Sequence, residues 1–281
     1  MFSFAILFLL FFLGLISWWY WQNFIMPNRI INYMQSKMRD VYSVHAYGDT
    51  NIFGKIGDSG VDLKISYDGF FNKKKKSLST NFKINGFYEL LPVKTDLDII
   101  MLEDKSYFKI NSLPEIIKFY GNMSEAENRW AVIDSAYKDL EIIGIFNEDD
   151  FFENVKIEGS EKIDNRNMYK IKAEVSSSKI SEFFDLKEML NIFTQEEISK
   201  IKESLLPPED IIFNLWICKN DYYLYKADGK FSFVIDEDNL DVEILIMMNK
   251  FNEGNNITEQ HPRFMRKLKK CLKLLSIKNY V

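Results

Sequence analysis

Val61-Asp62-Leu63-Lys64-Ile65-Ser66-Tyr67 alternates apolar and polar side chains without a break. A period of two sends successive side chains to opposite faces, so the stretch reads as a strand with one face buried and one in water. Lysines fill the turn at 72–76, and beyond it Phe82 and Ile84 alternate with Asn81, Lys83 and Asn85. Two such strands around a polar turn predict an antiparallel hairpin. The lysine run reads as a solvated turn, with an anion site as the sharper alternative.

Working outward, the alternation returns in Leu97, Ile99 and Met101 and again over 107–110, which extends the hairpin into a meander. Helical spacing is expected over 113–120 and 135–146, with Trp130 and Val132 in a short extended link between them. Strands follow over 155–163 and 168–175, joined by a turn at 164–167. A second helical block covers 176–204, with Ser181, Asp185 and Thr194 available as caps and Pro207 and Pro208 as its stop. Three strands close the body, over 211–219, 223–235 and 239–250. Upstream, Ile30, Ile31, Met34 and Met38 fall on one helix face over 29–40, with Asn28 as its expected N-cap. Roughly ten strands with two helical insertions predict one α+β domain over 29–258, a large antiparallel sheet covered by helices on one face.

The charges are unevenly placed. The 281 residues carry a formal net charge of -5, yet no charged side chain occurs before Arg29. Residues 2–21 supply the roughly 20 apolar positions that cross a bilayer, and Trp18, Trp19, Tyr20 and Trp21 stand where an interfacial aromatic belt sits. A secretory signal would show a basic start and a small-residue cleavage site, and neither is present. Residues 1–28 are therefore expected to be a single-pass transmembrane anchor. Arg29, Lys37 and Arg39 follow it, which alone would place the body in the cytoplasm.

At the other end, residues 259–281 hold seven basic side chains and one acid, Glu259. Phe264, Leu268, Leu272 and Leu275 recur at helical spacing between them, the pattern of an amphipathic membrane-surface helix. A solvated tail, or a helix docked on the acidic body, is the plainer reading. Membrane contact is thus expected from Trp18, Trp19, Trp21, Phe264, Leu268 and Leu272.

Composition excludes several classes. With 12 Gly, 6 Pro and 2 Cys the chain is neither disordered nor a disulfide scaffold. An acidic balance argues against a nucleic-acid partner. No phosphate loop, zinc motif or nucleophile elbow is present, and His45 and His261 lack ligand-type neighbours. Asp236, Glu237, Asp238 and Asp241 have part of a calcium-loop spacing without its glycine or distal glutamate, so a hairpin turn is expected. Glu148, Asp149 and Asp150 read as a solvated turn or helix start, and Cys218 and Cys271 as ordinary thiols. No catalytic residue, metal or cofactor is expected.

The segment from Leu215 through Trp216, Ile217, Cys218 and the polar turn at Asn220 and Asp221 to Tyr225 and Lys226 resembles a strand-turn-strand of the LolA and LppX/LprG group of lipoprotein-type carriers. The hairpin from Lys156 to Lys172 and the residues from Asn252 to Asn256 add to the resemblance, which covers about 29–258. It implies a curved antiparallel half-barrel with helices on its concave face, an extracytoplasmic place in the bacterial cell envelope, and acyl chains held between sheet and helices. On that basis the body is expected outside despite the flanking positive charges, tethered where the group carries a lipid-modified cysteine. The inward series Leu63, Ile65, Phe82, Ile84, Leu97, Ile99 and Met101 would line such a cavity. It continues with Ile171, Leu215, Ile217, Phe231, Phe233, Val242, Ile244 and Ile246. The same series equally describes a packed sheet core. Two functions stay open: a domain that binds lipid or a lipidated protein without catalysis, and a structural or sensory protein-interaction domain with a filled core.

Overall fold

A helix comes first in this computed structural model, which describes residues 11, 13–102, 105–115, 118, 127–133, 151–177, 179, 210–235 and 238–253. Residues 13–20 are α-helical, a π-helical turn follows at Trp21–Ile25, and α1 (Met26–Arg39) continues without interruption. Ile30, Ile31, Met34 and Met38 are all buried, as their spacing on one face requires. Pro27 has no N–H to give to the preceding turn, and the π register just upstream, closed by the Met26 N–H on the Trp21 carbonyl, absorbs that misfit. Asn28 is not an N-cap. The helix has no start there, so no orphan N–H needs capping, and Asn28 Nδ2 instead donates to the Phe24 carbonyl at 2.9 Å. Lys37 and Arg39 occupy the last turn, where cations complement the helix dipole.

The strands are β1 (Ser43–Ile56), β2 (Ser59–Asn72), β3 (Ser77–Tyr88), β4 (Leu91–Leu102), β5 (Lys105–Ser112) and β6 (Trp130–Ile133), then β7 (Glu153–Ile163), β8 (Arg166–Val175), β9 (Ile211–Cys218), β10 (Leu224–Ile235) and β11 (Asp238–Asn249). Together they form one eleven-stranded antiparallel sheet in the order β6-β5-β4-β3-β2-β1-β11-β10-β9-β8-β7. Two meanders meet at the pairing of β1 with β11, and the sheet is open, ending in β6 and β7. The expected hairpin is β2–β3, in register from Val61 opposite Tyr88 to Asn72 opposite Ser77. Two strands exceed expectation: β1, and the link at Trp130 and Val132, which pairs with β5 as an edge strand.

Local chemistry explains the turns. Asp164 and Asn165 both take left-handed φ, 46° and 64°, which a two-residue hairpin loop demands and short polar side chains tolerate. The lysine turn is tied down by the Lys75 N–H on Asn72 Oδ1 at 3.0 Å, and Lys74 lies 3.8 Å from the Tyr42 ring centroid. Register shifts put extra residues on β5, β7 and β10, bulges that bend those strands.

The core lies where α1 crosses the β7–β11 side. Met34, Met38, Ile171, Val175 and Ile217 are fully buried there, joined by Leu215 and Leu224. Among the described residues no helix is long and apolar enough to cross a membrane. The expected span at 2–21 lies partly outside them. So do the helical block at 135–146, nearly all of that at 176–204, Glu148, Asp149 and Asp150, and the basic tail; of 113–120, Glu115 and Lys118 are helical.

Candidate functional site

Directly opposed residues of an antiparallel pair share a face, so the register shows where the fifteen inward candidates lie. One row runs Ile244, Thr50, Ile65, Ile84 and Thr95 across five strands; the next runs Ile246, Gly48, Tyr67, Phe82, Leu97 and Ile110. Leu63 and Val242 flank Ile52, and Ile99 and Met101 continue the same face of β4. On the other side Phe231 opposes Val242, Phe233 opposes Leu240, and Leu215 sits between Ala227 and Ile171, while Ile217 opposes Tyr169. All fifteen are on one face.

That face is divided. Ile171, Leu215 and Ile217 are 0%, 1% and 0% exposed and belong to the core beneath α1, with Phe231 and Ile246 packed against its margin. Val242 is buried. Leu63, Ile65, Phe82, Ile84, Leu97, Ile99 and Met101, on β2, β3 and β4, are half-buried and lie outside that core, as do Phe233 and Ile244. Among the described residues the apolar face is continuous, while the core beneath α1 takes up only its β7–β11 side.

The opposite face is mostly polar, with its charges arranged across strands around two small buried apolar clusters, Met168, Trp216, Cys218 and Tyr225 on β8–β10 and Ile100 with Tyr107 on β4 and β5. Asn81 and Asn111 each donate to both Asp96 and Asp98, at 2.8 to 3.1 Å. Ser66 donates to Asp49 at 2.6 Å and Lys64 lies 3.1 Å from the other oxygen, which together hold the Asp49 carboxyl below its usual range. Among the described residues no three acidic, His or Cys side chains gather as a metal site. Asp238 accepts from the Gly57 N–H and Asp241 from Ser232, so this part of the acidic cluster joins hairpins. A cleft of about 650 Å³ opens at Phe53, Ile212, Lys230, Asp241 and Glu243, with Lys230 paired to Glu243. Cys218 is a buried free thiol.

Tyr67 was not foreseen as more than a strand residue. Its hydroxyl reaches the Leu245 carbonyl across β1, and burial, with Asp49 nearby, raises its pKa. The small residue between them, Gly48, is the signal in the sequence that a long side chain passes over that point.

The expected membrane residues Trp18, Trp19 and Trp21 are 63%, 54% and 43% exposed; Phe264, Leu268 and Leu272 lie outside the described residues. Every described side chain over 11–22 is exposed, although nearly all are apolar.

No protein-family model matches the chain, and no curated protein matches it. Solved structures are similar in fold. LprF from Mycobacterium bovis matches at 12% identity over 84% of this chain and 97% of that one, with a TM-score of 0.46. The lipoprotein LppX of Mycobacterium tuberculosis matches at 12% identity over 83% and 99%, with a TM-score of 0.39. A LolA superfamily protein from Nitrosomonas europaea matches at 8% identity over 83% and 96%, with a TM-score of 0.24.

Proposed function

We propose that this chain is a membrane-anchored, extracytoplasmic, non-catalytic domain that binds lipid or a lipidated partner on the half-buried part of its inner face. One observation carries the reading: Leu63, Ile65, Phe82, Ile84, Leu97, Ile99 and Met101 form a continuous apolar surface that the core beneath α1 does not take up. Apolar area is the means by which a protein recognises an acyl chain, and each methylene removed from water contributes about 0.8 kcal/mol. The four charges and amides on the opposite face of β4 and its neighbours are satisfied by one another, so they offer no competing chemistry.

The anchor reading is supported by the helix over 13–25, whose apolar side chains are exposed among the described residues. The outward orientation rests on the family resemblance and runs against the three flanking positive charges, of which Lys37 and Arg39 complement the dipole in the last turn of α1 and Arg29 donates to the Tyr33 hydroxyl at 2.9 Å. A reporter fused to the C-terminus and active only in the cytoplasm would overturn that orientation.

The test of ligand binding is a chain beginning at Met26, which keeps α1 and hence the core, purified without detergent and examined by native mass spectrometry. Bound lipid is expected; a ligand-free body with the inner face closed would sink the reading. The filled-core alternative draws on Ile171, Leu215 and Ile217, which leave no room for a ligand where they pack.

A further inference from the structure

The turn joining β3 to β4 is built against the usual rule for hairpins. Turns are polar because their side chains project into water. Here the six residues from Phe87 to Pro92 are all exposed, and five of them are apolar. Phe87 is 54% exposed, Tyr88 41%, Leu91 41%, and Leu90 at the apex 93%.

Strand parity puts Phe87 and Pro92 on the polar face and Tyr88 and Leu91 on the inner face, so the tip is apolar on both sides and serves neither.

The tip is held in place. Glu89 adopts φ 57°, a left-handed conformation that a side chain normally avoids. It is kept there by its N–H on the Gly60 carbonyl at 2.6 Å and by Ser59, whose hydroxyl donates to its carboxylate at 2.6 Å. The one polar residue of the turn is thereby drawn toward the neighbouring β1–β2 hairpin, and Leu90 is left foremost.

We propose that this tip inserts into the surface of a lipid bilayer. Its shape selects that occupant. A convex finger of six residues is far short of the roughly 800 Å² per partner of a standard protein interface, whereas fluid lipid closes around a projection from every side. Strand addition is opposed by Pro92, which removes a donor from the stretch of β4 that extends beyond its pairing with β5. Aromatic rings behind an aliphatic apex match the depth profile of an interface, with Leu90 deepest and Phe87 and Tyr88 at headgroup level. The inference rests in part on the anchor reading, because a tethered body holds its tip at high effective concentration beside a membrane.

The test uses the full chain with Cys271→Ser, in which Cys218 is buried and unreactive, reconstituted in phosphatidylethanolamine/phosphatidylglycerol vesicles. A polarity-sensitive fluorophore is placed singly at Leu90→Cys, at Lys75→Cys in the lysine turn, and at Leu15→Cys in the helix. The label at 90 is expected to shift to the blue and to be quenched by spin-labelled lipid, while that at 75 stays aqueous. With the label moved to Leu91→Cys, adding Leu90→Asp returns the emission to that of position 75. A label at 90 that is as aqueous as that at 75 overturns the proposal, as does shielding seen only in native membranes and lost in protein-free lipid, which assigns the tip to a protein. The label at 15 reports the anchor separately: if it stays aqueous the anchor reading fails, and the same protein mixed with added vesicles still decides the tip at position 90.

Discussion

The hydroxyl of Tyr67, on β2, donates to the carbonyl of Leu245, on β11, at 3.1 Å, passing over the strand that separates them. That strand is β1, and the residue beneath the crossing is Gly48, opposite Tyr67 on one side and Ile246 on the other. A Cβ at position 48 would stand 1.9 Å from the Leu245 carbonyl oxygen and 2.7 Å from the Tyr67 hydroxyl, the first of which cannot move without parting the ladder. Gly48→Ala is therefore expected to cost on the order of 3 kcal/mol, with Tyr67→Phe costing about 1 kcal/mol for the lost hydrogen bond. Urea unfolding measures both, and an unchanged midpoint in Gly48→Ala would show that the two halves of the sheet are not closed at this seam.

The helix is as much a part of the core as the strands. Met34 and Met38 are fully buried against residues of β8, β9 and β11. Met34→Ala should lower stability by roughly 2–5 kcal/mol, the range for emptying a packed core position. Thermal unfolding by circular dichroism tests it, and a loss no larger than that of an exposed control such as Tyr33→Ala would contradict the assignment.

Much of this was legible because side-chain parity is a local property. Leu63 and Ile65 declare their face from their own neighbours, and the tight turns carry that face into Phe82 and Ile84 and on into Leu97. β1 was not legible, since its inner positions include Gly48, Thr50 and Gly54, two of which are small because a neighbour's atoms occupy the space of a side chain. A strand defined by what passes over it has no hydrophobic period to read. Asn28 shows the converse limit: its preference for a helix start is real, but whether a helix starts there depends on residues 13–25. Nor did the sequence separate Ile84 from Ile217, whose different burial follows from where α1 crosses the sheet.

Acid should loosen the polar face at Asp49. Its carboxyl is held below the ordinary range by the Ser66 hydroxyl first, then by Lys64. A depressed folded-state pKa means the unfolded chain takes up the proton first, so the contribution is complete above the usual carboxylate pKa of about 3.9 and is lost as pH falls through the lower folded value. Asp49→Asn should flatten the fall in urea midpoint between about pH 5 and pH 3. Identical slopes in the two proteins would mean that this group does not contribute.

A matched pair of substitutions on one face separates a binding surface from a filled core. Ile84 is half-buried and outside the core beneath α1, whereas Ile217 is 0% exposed within it. Putting an amide at a fully packed site leaves polar atoms without partners and removes dispersion contacts, so Ile217→Asn should cost about 3 kcal/mol or more and deplete folded protein. At Ile84 the side chain already meets partly solvated space, and Ile84→Asn should leave the unfolding midpoint within about 1 kcal/mol of the parent. What it should remove is bound lipid, because an amide in the path of an acyl chain must give up water without a partner. Native mass spectrometry of the folded Ile84→Asn protein reads this directly. If its lipid content equals that of the parent, the β2–β4 surface is not the binding face; if it unfolds as Ile217→Asn does, that surface is a packed core and the interaction-domain reading takes its place.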